Sequence, residues 1–551
     1  MKLTRVGLMV LWVASLAACG KKEPEAPPAP PAAVFSVLAT TDLRDAQALE
    51  GMVEKATGVK LRFSYGGTME STEAVLSGTS SAHAAWFANA KYLLSDPAGQ
   101  SRVKLQDKIM LSPITVGVSQ TVAKRLGWDD PAVAAKVSWK EITKAAAEGK
   151  LAYALSNPAT SNQGFMALMG VVAAASNKSE ALSADDVDRG AIAGFLKGYK
   201  LAGDNSTYLS EKFIEQQGTQ PGQVNTFINY ESWLLSLNNG GKLREKLVLV
   251  YPNEGVSTAD YPFMLLKDER REDYQKVVAY LKSPEAQKWL ARETLRRPIN
   301  SEVAASVGDL FPKEGMRVEL PFSPDRQLAD GLIDAYLNEF RRPIASTFVL
   351  DTSGSMEGGG RRAQLVQALH YVAGADGSLT GRLAKLTNRE RVWMLPFSDR
   401  PWPMTYFELP AGRPQARGVQ VQEDSTAKQA VLADVRGYAD GLRMTGGTAL
   451  YDSVLGALKH MLEQKQKAPG YQYSVVAFTD GENNKGRSLQ QFQQAYATLP
   501  EDVRGIPVFM VLFGEANEAD LKALVQTTGG KVFDARKTPL YAVFKDIRAY
   551  Q

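Results

Sequence analysis

The stretch Ser346-Thr347-Phe348-Val349-Leu350-Asp351-Thr352-Ser353-Gly354-Ser355-Met356 holds the residues best suited to chemistry. An apolar run stops at an aspartate, and two hydroxyls follow at alternating positions on a glycine-containing turn. Asp351, Ser353 and Ser355 offer one carboxylate and two hydroxyl oxygens. That hard-oxygen donor set suits Mg²⁺ or a similar ion and is poor for zinc or copper. The three histidines, His83, His370 and His460, lie far apart and share no ligand spacing, which argues further against zinc. The only cysteine is Cys19, so internal disulfides, thiolate metal sites and a cysteine nucleophile in the folded domains are excluded.

Such a turn needs a rigid strand to hold it. The run before Asp351 is continuous rather than alternating, as in a strand covered on both faces. The rest of the chain repeats this alternation of strand and helix. Helices are expected around Leu365–Val372, Leu432–Leu442 and Leu450–Met461. Strands are expected at Val392–Phe397, Val475–Phe478 and Val508–Phe513. The expected fold over residues 345–551 is therefore α/β, a doubly wound, mainly parallel sheet in which neighbouring strand ends share one rim. Arg400–Gly418, rich in Pro, Gly and Arg, reads as a surface excursion near that rim.

Asp-x-Ser-x-Ser after an apolar strand resembles the metal-ion-dependent adhesion site of von Willebrand factor A-like domains. That family adds a Thr from a second loop and an Asp from a third. Gly446-Gly447-Thr448-Ala449-Leu450 and Ala477-Phe478-Thr479-Asp480-Gly481 supply both in order. The resemblance implies a five-residue metal site, Asp351, Ser353, Ser355, Thr448 and Asp480, holding Mg²⁺ (or Mn²⁺ or Ca²⁺). It implies direct ligation by the two serines, Thr448 binding directly or through water, and carboxylates acting mostly through water. It also implies a protein partner whose acidic side chain completes the metal shell.

The middle of the chain is again strand then helix. Phe35–Ala39, Leu61–Tyr65 and Leu151–Leu155 are strands, each followed by a turn rich in Ser, Thr, Asn or Gly, with a helix from about Phe165 after the third. Backbone N–H groups at such helix starts favour oxygen-rich ligands beyond the strand ends. Thr41 and Thr68 are equally suited to plain N-capping. Several segments resemble the extracellular solute-binding protein superfamily, in particular its two-lobed, molybdate-binding-like branch. They are Tyr65-Gly66-Gly67-Thr68, Asn157–Gly164, Phe227–Ser232, Tyr251–Gly255, Tyr261–Phe263, Lys282–Gln287 and Arg296–Pro298. The resemblance implies a periplasmic-binding-protein-like domain over residues 34–315. Its cleft would take a small polar or ionic solute at Thr40, Thr41, Gly67, Thr68, Ser161, Asn162 and Glu231. Its two interlobe crossovers would lie near Ile109–Val118 and Phe227–Tyr251. Residues 316–344 form a linker, in which Leu328, Leu332, Tyr336 and Phe340 mark an amphipathic helix bracing the two domains.

At the N-terminus, Lys2 and Arg5 precede an apolar segment from Val6 to Ala18, the shape of a secretory signal over residues 1–18. Leu16-Ala17-Ala18-Cys19 resembles the bacterial lipobox, which implies lipidation of Cys19 after cleavage. Residues 19–33 continue as a Pro/Ala-rich tether. The chain is then expected in a bacterial cell envelope, held to the membrane through the lipid anchor only and facing the periplasm. Gly20 leans the resemblance towards the outer membrane.

A net charge of +4 over 551 residues gives no reason to invoke nucleic acid. There is no Gly-x-x-x-x-Gly-Lys-Ser/Thr phosphate loop and no Gly-x-Ser-x-Gly nucleophile elbow. The expectation is a binding protein that senses or delivers a solute, not an enzyme. An assembly or adhesion scaffold with a vacant cleft is the alternative, and a metal-dependent hydrolase the lesser one.

Overall fold

The computed structural model describes residues 34–551, except 177, 179–181, 314–317, 321, 324, 414, 416, 515–516 and 539. The signal segment, Cys19 and the tether lie outside the described residues. Among those described, no helix is long and apolar enough to cross a membrane.

The first domain has two sheets. Strands β1 (Phe35–Thr40), β2 (Leu61–Gly66), β3 (Ala84–Trp86) and β4 (Leu105–Lys108) belong to the first lobe, β5 (Met110–Ser119), β6 (Tyr153–Ser156), β7 (Tyr199–Gly203), β8 (Thr226–Tyr230), β9 (Leu247–Val250) and β10 (Thr258–Ala259) to the second. Strand β11 (Pro262–Leu265) returns to the first sheet, giving the order β2-β1-β3-β11-β4. The short β12 (Arg297–Pro298) pairs with the start of β5. The ten-residue β5 joins the lobes: its first half pairs with β10 and β12, its second half with β8 and β9.

The first crossover therefore lies at β5, as the sequence led us to expect. The second lies after β9, between Tyr251 and Tyr261, and not across Phe227–Tyr251. Both apolar runs in that interval, β8 and β9, are second-lobe strands hydrogen-bonded to β5.

The C-terminal sheet comprises β13 (Ile344–Asp351), β14 (Arg391–Phe397), β15 (Thr405–Glu408), β16 (Gln472–Thr479), β17 (Val508–Leu512) and β18 (Lys531–Asp534) in the order β15-β14-β13-β16-β17-β18. All neighbours are parallel except β15, an antiparallel edge strand. The excursion read at Arg400–Gly418 thus contains this edge strand. Every residue of β13 is buried because helices cover both faces. Phe348 and Leu350 enter one apolar cluster with Leu365, Leu369 and Phe544, while Ala345 and Val349 enter the opposite one with Val454, Leu458 and Leu524. This is the period-two alternation of a strand whose two faces are both core.

The linker helix, Arg326–Ala335, runs into a wider turn over Tyr336–Phe340. Leu328, Leu332 and Tyr336 pack into the first domain's core together with Leu383 and Val419 of the second. Gly331 permits this approach, since a Cβ there would lie 2.9 Å from the Val419 carbonyl oxygen. The linker ends at Arg341, which is buried and donates to Glu390 at 2.8 Å. Arg548 of the C-terminal helix, Leu540–Tyr550, reaches the same carboxylate.

Candidate functional site

Strands β13 and β16 are register neighbours, so their C-terminal ends place Asp351 and Asp480 side by side at one rim. Both carboxylates are buried. Asp351 Oδ1 accepts from the Ser353 N–H at 2.9 Å, and Oδ2 accepts from the Thr479 hydroxyl at 2.7 Å. The Ser353 and Ser355 hydroxyls lie 3.0 Å apart, and Ser355 donates to Asp480 Oδ1 at 2.9 Å. The second loop joins them through backbone bonds: Gly354 N–H to the Gly446 carbonyl at 2.9 Å and Thr445 N–H to the Thr352 carbonyl at 2.7 Å. Gly446 has a positive φ of 75°, and a Cβ there would meet the Asp399 carboxylate at 2.6 Å. Thr448, also buried, ties the second loop to the third. Its N–H donates to Asn484 Oδ1 at 2.8 Å, and its carbonyl accepts from Asn484 and Lys485.

The donors brought to this rim are hydroxyl and carboxylate oxygens, which suit a hard divalent cation. Among the described residues no three His, Cys, Asp or Glu side chains cluster as a metal site. A metal here would be held by two carboxylates and hydroxyls rather than by a carboxylate or imidazole cage. Burial, only partly offset by hydrogen bonds from Ser353 and Thr479 and reinforced by the Asp480 charge, pushes the Asp351 carboxyl up to about 6. Arg361, at the first turn of the next helix, donates to Asp480 Oδ2 at 2.8 Å and to the Ser355 carbonyl at 3.2 Å. Thr479, Asn484 and Arg361 were not singled out from sequence. Thr479 could have been found as the hydroxyl adjoining Asp480 at the strand end. Arg361 follows a run of three glycines whose path the sequence does not specify.

The second candidate is the cleft between the lobes of the first domain, about 1010 Å³. Thr41, Gly67, Thr68, Ser161 and Asn162 line it, each at a strand-to-helix turn. Neither Thr41 nor Thr68 is an N-cap. Thr40 and Gly67 occupy those positions, and neither helix start has a side-chain capping bond. Asn162 Nδ2 donates to the Tyr230 hydroxyl at 2.9 Å. The Tyr65 and Thr160 hydroxyls, also in the lining, are buried without a hydrogen-bond partner, and burial pushes the Tyr65 phenol up to about 12.

Two expected solute residues stand elsewhere. Thr40 is buried beneath the lining, its hydroxyl unpartnered. Glu231 is fully buried and lies outside the cleft, a correction to its expected role. It accepts two bonds from Arg297, at 2.6 and 2.8 Å, and one from the Tyr251 hydroxyl at 2.5 Å. A buried carboxylate needs such pairing, so Glu231 braces the lobe and does not face a ligand.

The bacterial extracellular solute-binding protein family model matches residues 37–294, and the von Willebrand factor type A domain model matches residues 347–545. The chain joins a solute-binding domain to a von Willebrand factor type A domain. Both are typically binding or adhesion domains rather than enzymes. No curated protein matches the chain. Solved structures similar to it include AfuA, a periplasmic binding protein from Actinobacillus pleuropneumoniae bound to fructose-6-phosphate. That structure is 12% identical, covering 56% of this chain and 98% of its own, with a TM-score of 0.43. Trichodesmium FutA (IdiA), in complex with iron and citrate, is 16% identical, covering 55% and 97%, with a TM-score of 0.40. Maltose-bound MalE3 from T. maritima is 11% identical, covering 54% and 94%, with a TM-score of 0.39.

Proposed function

We propose that this chain is a lipid-anchored envelope protein with two binding functions. The type A domain captures a protein partner through Mg²⁺, and the solute-binding domain takes a small polar solute between its lobes. The observation that carries the first half is the hydrogen-bonded cluster of Asp351, Ser353, Ser355 and Asp480 at adjoining strand ends, with Thr448 tied in by backbone. These five residues would hold the ion. When bound, the ion would supply an open coordination position for an acidic side chain of the partner. The chain's own part is positioning: Thr479 orients Asp351, Ser355 orients Asp480, and the two backbone bonds keep the second loop against the first. The cleft's hydroxyl, amide and charged lining, with Thr41, Thr68, Ser161 and Asn162 at the strand-to-helix turns, supports a polar solute. Cys19 would carry the lipid.

Calorimetric titration with Mg²⁺ tests the metal site. The native chain is expected to bind one ion and Asp351→Ala none; unchanged affinity in that variant refutes the assignment. Pull-down from envelope extract in Mg²⁺ against EDTA then tests the partner. Recovery of the same proteins under both conditions would contradict metal-bridged capture.

A further inference from the structure

The cleft has a third wall. Besides the two lobes, its lining includes Lys531, Lys545, Asp546 and Tyr550 of the type A domain. The C-terminal helix that carries the last three lines the cleft and is fastened to both lobes. Towards its middle, Lys545 pairs with Glu70 of the first lobe, and its ammonium rests over the Gly67 turn, where a Cβ would lie 3.7 Å from Nζ. At its end, Tyr550 donates to Asp204 of the second lobe at 2.5 Å and packs edge-on against Tyr208, with ring centroids 4.6 Å apart. Lys531 adds a 2.7 Å bond to the same phenol.

These fastenings are not surface decoration. The Lys545 side chain is only 7% exposed, and the charges of Asp546 and Glu70 hold its ammonium above the usual lysine range against the opposing effect of burial. The buried end is the lysine, and leaving an ammonium buried without its partner is costly, whereas Glu70 keeps part of its hydration. The lobes can change their angle about β5 and the Tyr251–Tyr261 crossover only if the C-terminal helix moves with them or releases one end.

We propose that the C-terminal helix of the type A domain is the roof of the solute site, fastened by Lys545 to one lobe and by Tyr550 to the other, so that solute access and type A domain position are one coupled event. The inference rests on the reading of the cleft as a solute site. The solute it describes is a polar organic molecule, because a volume of about 1010 Å³ is of the size that holds such ligands and far exceeds that of a bare ion. Six carboxylates and four basic side chains line the space, so a solute entering it meets charge from three walls at once.

The test needs neither solute nor metal, which separates its failure from failure of the proposed function. In a full-length Cys19→Ser background, Ser161→Cys places a single thiol in the cleft. Its reaction rate is measured with a small methanethiosulfonate and with a maleimide carrying a polyethylene glycol chain of about 2 kDa. With the roof fastened, the bulky reagent should react slowly. Lys545→Glu, which sets a carboxylate against Glu70 and Asp546, should speed the bulky reagent at least fivefold while changing the small reagent less than twofold. Lys545→Met keeps the side-chain stem and loses only the charge, so it guards against misfolding and should give a smaller acceleration in the same direction. Bulky-reagent rates equal to the parent in both variants would overturn the roof.

Discussion

Arg361 is where the proposed metal site can be perturbed without removing any of the five residues proposed to hold the ion. Its guanidinium donates to Asp480 Oδ2 at 2.8 Å, and Asp480 Oδ1 is already taken by Ser355, so both oxygens of that carboxylate are engaged. A cation entering the rim must share Asp480 with Arg361 or displace it. Two unit charges about 4 Å apart attract by roughly 1 kcal/mol in water and about 4 kcal/mol at the effective dielectric near a protein surface. Arg361 is 30% exposed, and on release its guanidinium regains water, so the net competition falls to about 1–2 kcal/mol. The positive charge beside a dication adds repulsion of the same sign. Arg361→Gln is therefore expected to tighten Mg²⁺ binding about 5- to 30-fold, at about tenfold per 1.4 kcal/mol. Arg361→Lys, which keeps charge but loses the planar fork, should fall between. Calorimetric titration at about 50 mM salt reads the effect, with Asp351→Ala as the blank. Raising the salt should shrink the difference between variant and parent. Affinity that is unchanged or weaker in Arg361→Gln would refute the competition and recast Arg361 as a support for Asp480.

Glu390→Gln removes the carboxylate charge shared by the buried guanidiniums of Arg341 and Arg548. Breaking a buried ion group costs about 3–5 kcal/mol, so the melting temperature read by calorimetry should fall about 6–15 °C; a fall under 2 °C would contradict the bracing role. Gly331→Ala drives a methyl to 2.9 Å from the Val419 carbonyl and should cost about 1–3 kcal/mol in urea unfolding, whereas neutrality would mean the linker helix can slide. Burial raises the Asp546 carboxyl to about 6 from an ordinary value of 3.8. The folded chain therefore binds the extra proton across that window, and stability falls as pH rises from about 4 to about 6. Asp546→Asn should gain on the parent as pH rises through the same window, and a difference independent of pH would exclude the carboxyl as its cause.

The rim was legible in the sequence because each of its parts is local. Continuous burial of Phe348–Leu350 and of Val475–Phe478 marks two central parallel strands, and each run stops at or just before a carboxylate with hydroxyls close by. Adjacency of the two strands then follows from the doubly wound topology. Glu231 misled for the opposite reason. It follows a strand, as a cleft residue would, but its partner Arg297 is 66 positions away and nothing near Glu231 announces it. The resemblance places the second crossover across Phe227–Tyr251, but both apolar runs there pair with β5 inside the second lobe, and an apolar run cannot tell a strand that crosses between lobes from one that pairs inside a lobe. The roof was beyond reach altogether. Lys545 lies 475 positions from Glu70 and Tyr550 lies 346 from Asp204, and both sit on a helix whose apolar residues already account for its packing on the sheet.

The same geometry gives the domain order a physical consequence. The linker helix is part of the first domain's core, yet it ends at Arg341 on Glu390. The C-terminal helix reaches that carboxylate through Arg548, and through Lys545 and Tyr550 it reaches back to the two lobes. The type A domain is therefore held to the solute-binding domain at both of its own ends, with Glu390 as the shared anchor. A domain hung on one flexible linker would leave the cleft free to open and close alone. Two attachments that meet at one buried carboxylate remove that freedom, because rotating either lobe pulls on a helix whose far contacts lie inside the neighbouring core. Cores of this kind change by repacking rather than by gradual bending. Any motion linking the cleft to the type A domain should accordingly pass between discrete arrangements, with Glu390 as its pivot.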